Sequence, residues 1–152
     1  MSELRQVGYD DARALVDALE TELRARYQDE AATHADAAQF VPPAGVFYVV
    51  LVDGEQVACG GLRTVEPGLA EIKRMYVDPA HRGRGLSRVV LQALVDFARE
   101  QGFHRVALET GEKQPEAIGL YESAGFVRVG PYGEWVGSGV CSLFFGLRLS
   151  GS

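Results

Sequence analysis

The chain has 152 residues, 47% hydrophobic and 24% charged, with a formal net charge of −6. This composition predicts one globular domain over residues 1–152, and the acidic balance argues against nucleic acid, whose binding needs a concentrated basic surface. No apolar run approaches the ~20 residues that cross a bilayer, no signal peptide is evident, and two cysteines make no disulfide framework. We therefore expect a cytoplasmic protein without a membrane partner.

The first half of the chain predicts a strand, a helix, a loop and three more strands. Weak alternation over residues 4–9 favours a strand, and an apolar stripe predicts a helix over about 11–27. The pattern fails over residues 28–45, which we interpret as a binding loop. His34 in this loop is either an acid–base group or a solvent-facing side chain. The three strands then follow as an antiparallel series at 46–52, 56–65 and 70–77.

The second half predicts a parallel crossover. A helix that starts at Leu86 leads to a strand over 104–109, which a right-handed crossover places parallel to the 70–77 strand. Another helix starts at Pro115. Two further strands end the chain, and the last one, over 140–149, is long and apolar. We predict that it forms a sheet edge that invites pairing into a homodimer.

A Gly-rich, basic turn joins the 70–77 strand to the next helix. Gly83 and Gly85 lack a Cβ, so the backbone can bend sharply and approach a bulky ligand. The free amides at the start of the helix bind anions, and Arg82 and Arg84 add donors suited to phosphate. The turn has neither the Gly-Lys-Ser/Thr ending of a P-loop nor the Gly-x-Gly-x-x-Gly of a dinucleotide site.

Two motifs together indicate a family. Arg82, Gly85 and Ser87 form Arg-x-x-Gly-x-Ser, which resembles the acyl-CoA loop, Arg/Gln-x-x-Gly-x-Gly/Ala, of the Gcn5-related N-acetyltransferases (GNAT). Ser87 is a mild departure, because serine is small. Residues 114–126 resemble the second signature, Asn-x-x-Ala-x-x-Leu-Tyr-x-x-x-Gly-Phe, with Gln114 in place of Asn. The joint resemblance covers roughly residues 71–126.

The resemblance implies a GNAT-like α/β fold. In it a mixed, mostly antiparallel sheet of six to seven strands is flanked by helices, and a parallel strand pair splays apart around the cofactor. It implies acetyl-CoA as co-substrate, no metal, and direct transfer to an amine in a ternary complex. The residues that it implies for cofactor binding are Met75, Tyr76, Val77, Arg82, Gly83, Arg84, Gly85, Leu86, Ser87, Arg88, Gln114 and Tyr121.

Acetyl transfer to an amine needs a base for the ammonium and an acid for the leaving thiolate. The resemblance places Tyr121 near the cofactor sulfur, so its phenol, with a free pKa of about 10, is our candidate acid; a packed core tyrosine is the alternative. Glu71 is our candidate base, because it lies on the strand that leads to the cofactor. Strict alternation would put Glu71, Lys73 and Met75 on one face, unless a bulge intervenes. The alternatives are that Lys73 pairs with a neighbouring acid and that Glu71 is a solvent-facing strand residue.

Two further pairs of residues bear on the acceptor. Glu109 and Thr110 end the parallel strand, where α/β sheets place ligands, and we expect them, with Glu71, to orient the acceptor. Cys59 and Cys141 could carry the acyl group covalently, but both lie in apolar strands, which favours buried structural thiols. Direct transfer is therefore the preferred mechanism.

The predicted activity is transfer of acetyl from acetyl-CoA to a primary amine of a small or amino-acid-like molecule. One alternative is a protein acetyltransferase that acts on lysine or N-terminal amines. Another is a non-catalytic acyl-CoA-binding sensor, which would bind the cofactor without turnover.

Overall fold

The computed structural model describes residues 2–27, 37–111, 114–140 and 142–149. Within these residues, seven strands form one sheet and three α-helices flank it. The strands are β1 (Ser2–Gln6), β2 (Gly45–Val52), β3 (Glu55–Glu66), β4 (Leu69–Val77), β5 (Arg105–Thr110), β6 (Val127–Val129) and β7 (Leu143–Arg148). The helices are α1 (Arg13–Tyr27), α2 (Leu86–Glu100) and α3 (Pro115–Ser123).

The sheet is mixed, in the order β1-β2-β3-β4-β5-β7-β6. Every neighbouring pair is antiparallel except β4 and β5, which α2 connects as a parallel crossover. A parallel pair needs such a crossover, because a short turn cannot return the chain to the same end of the sheet. The predicted fold class is confirmed.

The prediction that the last strand forms a sheet edge is wrong. β7 lies between β5 and β6 and pairs with both. The chain leaves α3 through the short strand β6, which covers the outer side of β7 and takes the edge position itself. The other edge is β1, whose five residues are all exposed. The apolar character of β7 therefore reflects burial inside the sheet rather than a surface for a second subunit.

The two faces of the sheet carry separate cores. Apolar residues of α2 and α3 pack on one face, including Leu91, Leu94 and Tyr121. On the other face α1 packs with an aromatic group, in which Tyr9 stacks on Phe40 at 4.9 Å between ring centroids. We call these the α2 face and the α1 face.

Part of the predicted binding loop is ordered structure. Ala37–Phe40 forms a 3₁₀ turn, and Phe40 is 2% exposed in the core of the α1 face. The rest of that segment, including His34, lies outside the described residues.

The structure also bears on the two cysteines, on membrane-spanning helices and on metal sites. Cys59 is fully buried, and burial raises the pKa of its thiol to about 12, which confirms a structural thiol. Cys141 lies outside the described residues. None of the described helices is long and apolar enough to span a bilayer. The described residues also contain no group of three or more His, Cys, Asp or Glu side chains that could hold a metal ion.

Candidate active site

The parallel strands β4 and β5 separate partway along their length. They pair only from Leu69 with Arg105 to Ile72 with Leu108. Beyond that point residues 73–77 of β4 continue alongside β3, and residues 109–110 of β5 continue alongside β7. The space between the two strands, bounded by residues 73–77 and 109–110, is here called the opening. The predicted splay of the parallel pair is therefore present.

A β-bulge in β4 lies at the start of the opening. β3 pairs Gly61 with Lys73 but Cys59 with Tyr76, so Gly60 faces two residues of β4. Arg74, one of those two, has the left-handed backbone angle φ of 62°. Such a bulge inserts one residue and reverses the side-chain alternation beyond it.

The bulge places Met75 on the opposite face of the sheet from Glu71 and Lys73. A Cβ on Gly60 would lie 2.5 Å from the Met75 sulfur and 2.7 Å from Val90 of α2, so Met75 points to the α2 face. Glu71 and Lys73 point to the α1 face, opposite their neighbour Ile72 in the α2-face core. The strict alternation that would put all three on one face is therefore wrong.

The backbone of β4 directs donors into the opening. The Asp78 amide donates to the Val57 carbonyl at 2.7 Å, on the β3 side. Amide directions alternate along a strand, so the amides of Val77 and Met75 point away from β3, into the opening.

The Gly-rich turn follows β4 and ends at the first turn of α2. Gly83 and Gly85 have φ of 80° and 77°, a conformation that costs other residues energy, and an added Cβ would have open space around it. The first amides of α2, at Leu86, Ser87 and Arg88, have no partner within the helix and lie at its positive end. This turn therefore presents backbone donors suited to an anion.

The arginines of the turn are held by other elements. The Arg82 guanidinium donates to the Val77 carbonyl at 2.9 Å and to Glu22 of α1 at 2.8 Å. It also lies 5.6 Å from the ring centroid of Tyr76. Arg88 donates to Ser123 of α3 at 2.7 Å, and Arg84 is exposed. Nothing in the local sequence indicated Glu22, because the contact joins residues 60 apart in the chain.

Tyr121 lies on the α2 side of the opening. It is 5% exposed and packs against Phe126 and Phe145, at 5.9 and 6.3 Å between ring centroids. Burial, together with the charge of Glu109, raises the pKa of the Tyr121 phenol well above its ordinary value. The phenol is therefore protonated at neutral pH.

Glu109 and Thr110 end β5, and a third predicted site residue, Gln114, contacts Thr110. Gln114, just before α3, donates to the Thr110 hydroxyl at 3.3 Å. Glu109 accepts a hydrogen bond of 2.6 Å from the Ser142 hydroxyl. Burial raises the pKa of the Glu109 carboxyl, and this hydrogen bond and the charge of Lys73 offset the effect only in part. A carboxylate with a raised pKa is a stronger base than an ordinary one.

Glu71 lies deeper, in a group of charged and aromatic side chains on the α1 face. One of its carboxylate oxygens accepts from Arg63 at 2.9 Å, and the other accepts from Tyr132 at 2.6 Å and from Trp135 at 3.0 Å. The Lys73 ammonium lies 3.7 Å from the first oxygen. We call these five residues the charged cluster.

The environment of Glu71 makes it a weak base. It is 1% exposed. Burial pushes its pKa upward, but the charge of Lys73, the hydrogen bonds from Tyr132 and Trp135 and the charge of Arg63 outweigh burial and hold the pKa below its ordinary value. A carboxylate with these partners has little tendency to take a proton from an acceptor.

Sequence reasoning missed most of the charged cluster. Arg63 also donates to Glu134 at 2.7 Å and to Gln39 at 3.3 Å, so the cluster joins four separate segments of the chain. The available signal was weak: Arg63 lies in an otherwise apolar strand, and its pairing with Glu71 depends on the β3–β4 register.

The sequence and fold of this chain are similar to those of known acetyltransferases. The sequence model of the acetyltransferase (GNAT) family matches residues 12–126. The chain belongs to this family. It is 35% identical over 131 residues to the IAA acetyltransferase of Azospirillum brasilense, covering 86% of this chain and 85% of that protein. Seven further N-acetyltransferases are matched over 33–57% of their own length.

Solved GNAT structures have the same architecture. A proposed acyl-CoA N-acyltransferase from Klebsiella pneumoniae has a TM-score of 0.84 and 30% identity, with 98% of each chain covered. The structure of yncA, a proposed acetyltransferase from Salmonella typhimurium, contains its cofactor acetyl-CoA; it has a TM-score of 0.75 and 19% identity, and 99% of this chain and 95% of that chain are covered. The second likeness concerns the fold alone.

Different residues line the two sides of the opening. Tyr121 lies in the core of the α2 face, and the Gly-rich turn leads into α2. Lys73 and Glu109 lie on the α1 face. Tyr121 and Glu109 therefore lie on opposite sides of the opening.

Proposed function

We propose that this protein is an acetyl-CoA-dependent N-acetyltransferase that acetylates a primary amine of a small, amino-acid-like molecule. The observation that carries the proposal is the opening, which has an anion-binding turn at its mouth, Glu109 on one side and Tyr121 on the other. The raised pKa of the Glu109 carboxyl makes it a stronger base than an ordinary carboxylate, and the Tyr121 phenol is protonated at neutral pH and can donate to a leaving sulfur.

The residues present fit acetyl-CoA. The open space beside Gly83 and Gly85 and the free amides at the start of α2 suit a pyrophosphate. The amides of Met75 and Val77 suit the pantetheine and acyl carbonyl groups. Gln114 would line the cofactor arm, and Arg84 would add charge at the mouth.

Glu109 is the best-supported base. In the proposed reaction it accepts a proton from the acceptor ammonium, directly or through a water molecule. The amine nitrogen then bonds to the thioester carbonyl carbon while the amide of Met75 donates to the carbonyl oxygen. The carbon–sulfur bond breaks as Tyr121 donates its proton to the leaving sulfur, the second proton of the attacking nitrogen passes through water to the Tyr121 phenolate, and Glu109 releases its proton to solvent. Thr110, which is linked to Gln114, would help to orient the reactants.

Glu71, the base expected from the sequence, is a weaker candidate in this arrangement. Its carboxylate pairs with both Arg63 and Lys73. We propose that Glu71 fixes the positions of Arg63 and Lys73 beside the acceptor site and does not exchange a proton with the acceptor.

Thiol release from acetyl-CoA, measured against amines, amino acids and peptides, tests the proposal. Tyr121→Phe should lower kcat at least about tenfold, because the acid is lost. Tyr48→Phe, which removes a phenol elsewhere on the sheet, should leave kcat near the wild-type value. If no amine is acetylated while acetyl-CoA still raises the melting temperature, the protein is an acyl-CoA-binding sensor. Turnover of peptides alone would instead indicate a protein acetyltransferase.

Cytoplasmic location and a homodimer stay predictions. The structure removes the argument that β7 is an edge, so a dimer would need another surface, such as the exposed edge strand β1. A single-chain mass by light scattering across a wide concentration range would count against it.

A further inference from the structure

The sheet brings a hydroxyl from the start of β7 to the carboxylate at the end of β5. Ser142 immediately precedes β7, and Glu109 of β5 pairs with Phe144 of β7. Ser142 is therefore two residues from the cross-strand partner of Glu109, a diagonal position that side chains can bridge. Leu108 lies in the core of the α2 face, so Glu109 points to the α1 face. Ser142 has the same alternation as Phe144 and shares that face.

The Ser142 hydroxyl is the one hydrogen-bond donor to the Glu109 carboxylate in the part of the chain that the structure describes. Oγ of Ser142 donates to Oε2 of Glu109 at 2.6 Å, a length typical of a hydroxyl that donates to a charged carboxylate. The cross-strand neighbour Phe144 is apolar and offers no donor. Oε1 of Glu109 accepts no hydrogen bond from the described residues. This oxygen is therefore left for a substrate.

Several other groups face Glu109 from neighbouring elements. The charged and titratable ones are Lys73, Arg74 and Glu71 of β4, Tyr121 of α3 and Tyr132 of the loop between β6 and β7. The two cations favour the ionised carboxylate, Glu71 opposes it, and the two phenols are neutral at neutral pH. Burial raises the pKa of the Glu109 carboxyl, and among its neighbours the Ser142 hydroxyl does most to lower it. Ser142 is thus the neighbour with the strongest hold on this carboxylate.

From this geometry, and resting on the proposed function, we infer that Ser142 is a positioning residue for the base Glu109. Its hydroxyl holds Oε2 and thereby fixes the orientation of the half-buried carboxylate. The same hydrogen bond favours the ionised form, which is the form that can accept a proton. During turnover the proton of the acceptor ammonium moves to Oε1 of Glu109, and Ser142 keeps its own proton.

The pH dependence of kcat/KM tests the inference, with one acceptor amine used throughout so that its own titration is common to all variants. In Ser142→Ala the acid limb that belongs to Glu109 should move to higher pH by about one unit, because a hydrogen bond to the charged form is lost. On that limb kcat/KM should therefore fall about tenfold, and the loss should shrink as pH rises. Ser142→Thr keeps a hydroxyl and should retain the wild-type limb. Ser138→Ala, which changes an exposed serine of the same loop, is the matched control.

Two further measurements separate an effect through Glu109 from a general loss of structure. In a Glu109→Gln background, Ser142→Ala should change kcat/KM by less than about twofold, because the base on which Ser142 acts is already absent. The carbon chemical shift of the Glu109 carboxyl, followed by NMR against pH and assigned by its loss in Glu109→Gln, should show the same upward move in Ser142→Ala. This titration needs no acceptor amine.

Three outcomes would overturn the inference. An acid limb and an NMR titration that Ser142→Ala leaves unchanged would do so, as would an equal effect of Ser142→Ala with and without the Glu109 carboxylate; both leave the transferase standing. A complete lack of transfer to any amine would overturn the proposed function, and this inference with it. If Ser142→Ala does not fold, Ser142→Cys, whose thiol is a weak donor, decides by the same two titrations.

Discussion

The two sides of the opening are built in different ways. The side proposed for the cofactor consists mainly of backbone amides from one continuous segment, residues 75–88, whose conformation depends on glycines. The side proposed for the acceptor consists of side chains such as Arg63, Glu71 and Trp135, which come from distant segments and meet only in the folded sheet. Changes within residues 75–88 should therefore alter mainly cofactor binding, whereas changes on the acceptor side should alter catalysis or stability.

Glu109→Gln should have the largest effect. If Glu109 is the base, kcat should fall by about 10²–10⁴-fold. Because burial raises its pKa, wild-type kcat/KM should fall as pH decreases through a value above the ordinary glutamate pKa of about 4.3, and this acid limb should vanish in the variant. Rate measurements across acid and neutral pH test both effects. Glu116→Gln, exposed on α3, is the control; an unchanged acid limb in Glu109→Gln would refute the assignment.

Glu71→Gln should act on stability first. Breaking a buried ion pair costs about 3–5 kcal/mol, so the free energy of unfolding at neutral pH should fall by roughly this amount. The folded-state pKa of Glu71 is lowered, so its contribution is present above the unfolded pKa and is lost as pH falls through the folded one. The difference between wild type and variant should therefore shrink in acid. Urea unfolding measures it, with the exposed Glu55→Gln as control.

A loss of activity in Glu71→Gln without any loss of stability would contradict this interpretation. It would return Glu71 to the role of base and remove the contrast between the two sides of the opening.

Gly85→Ala tests the cofactor side. An added Cβ would meet no neighbour, so the cost is the left-handed backbone alone, about 1–2 kcal/mol. The turn should shift and raise KM for acetyl-CoA without changing the preference among acceptors. Gly119→Ala is the matched control, because Gly119 is helical and also has open space around it. A change in acceptor preference in Gly85→Ala would show that the two sides are coupled.

Glu22→Gln should have the smallest effect. The Arg82–Glu22 pair is 40% and 25% exposed, and pairs of this kind contribute about 0.2–1 kcal/mol. Loss of the carboxylate leaves Arg82 more available to phosphate, so acetyl-CoA should bind up to about fivefold more tightly at low salt. Calorimetry at two salt concentrations measures this. Weaker binding would mean that Glu22 holds Arg82 in its binding orientation.

Local sequence was sufficient for the features that depend on neighbouring residues. We predicted the Gly-rich turn, the starts of α2 at Leu86 and of α3 at Pro115, and the parallel crossover. These features depend on glycine conformations, helix starts and apolar periodicity, which short stretches of sequence determine. The two family motifs belong to the same class, since each spans a single turn and helix.

Features that depend on strand order and register could not be predicted. The placement of β7 inside the sheet required the pairing of β6, a strand of three residues. The bulge at Arg74 depends on how β3 aligns with β4, and it decides which face Met75 takes. A shift of one residue would exchange the two faces.

The sequence by itself therefore determined the fold family, the anion-binding turn and the identity of the acid candidate, because these follow from contiguous residues with strong conformational preferences. Only the tertiary structure distinguishes the two carboxylates that are candidates for the base. In the sequence, Glu71 and Glu109 are both glutamates in predicted strands. In the folded protein, cations and hydrogen-bond donors around Glu71 lower its pKa, whereas burial of Glu109, only partly offset by its neighbours, raises the pKa of that carboxyl. A pKa depends on every charge and dipole nearby in space, and those neighbours come from all parts of the chain.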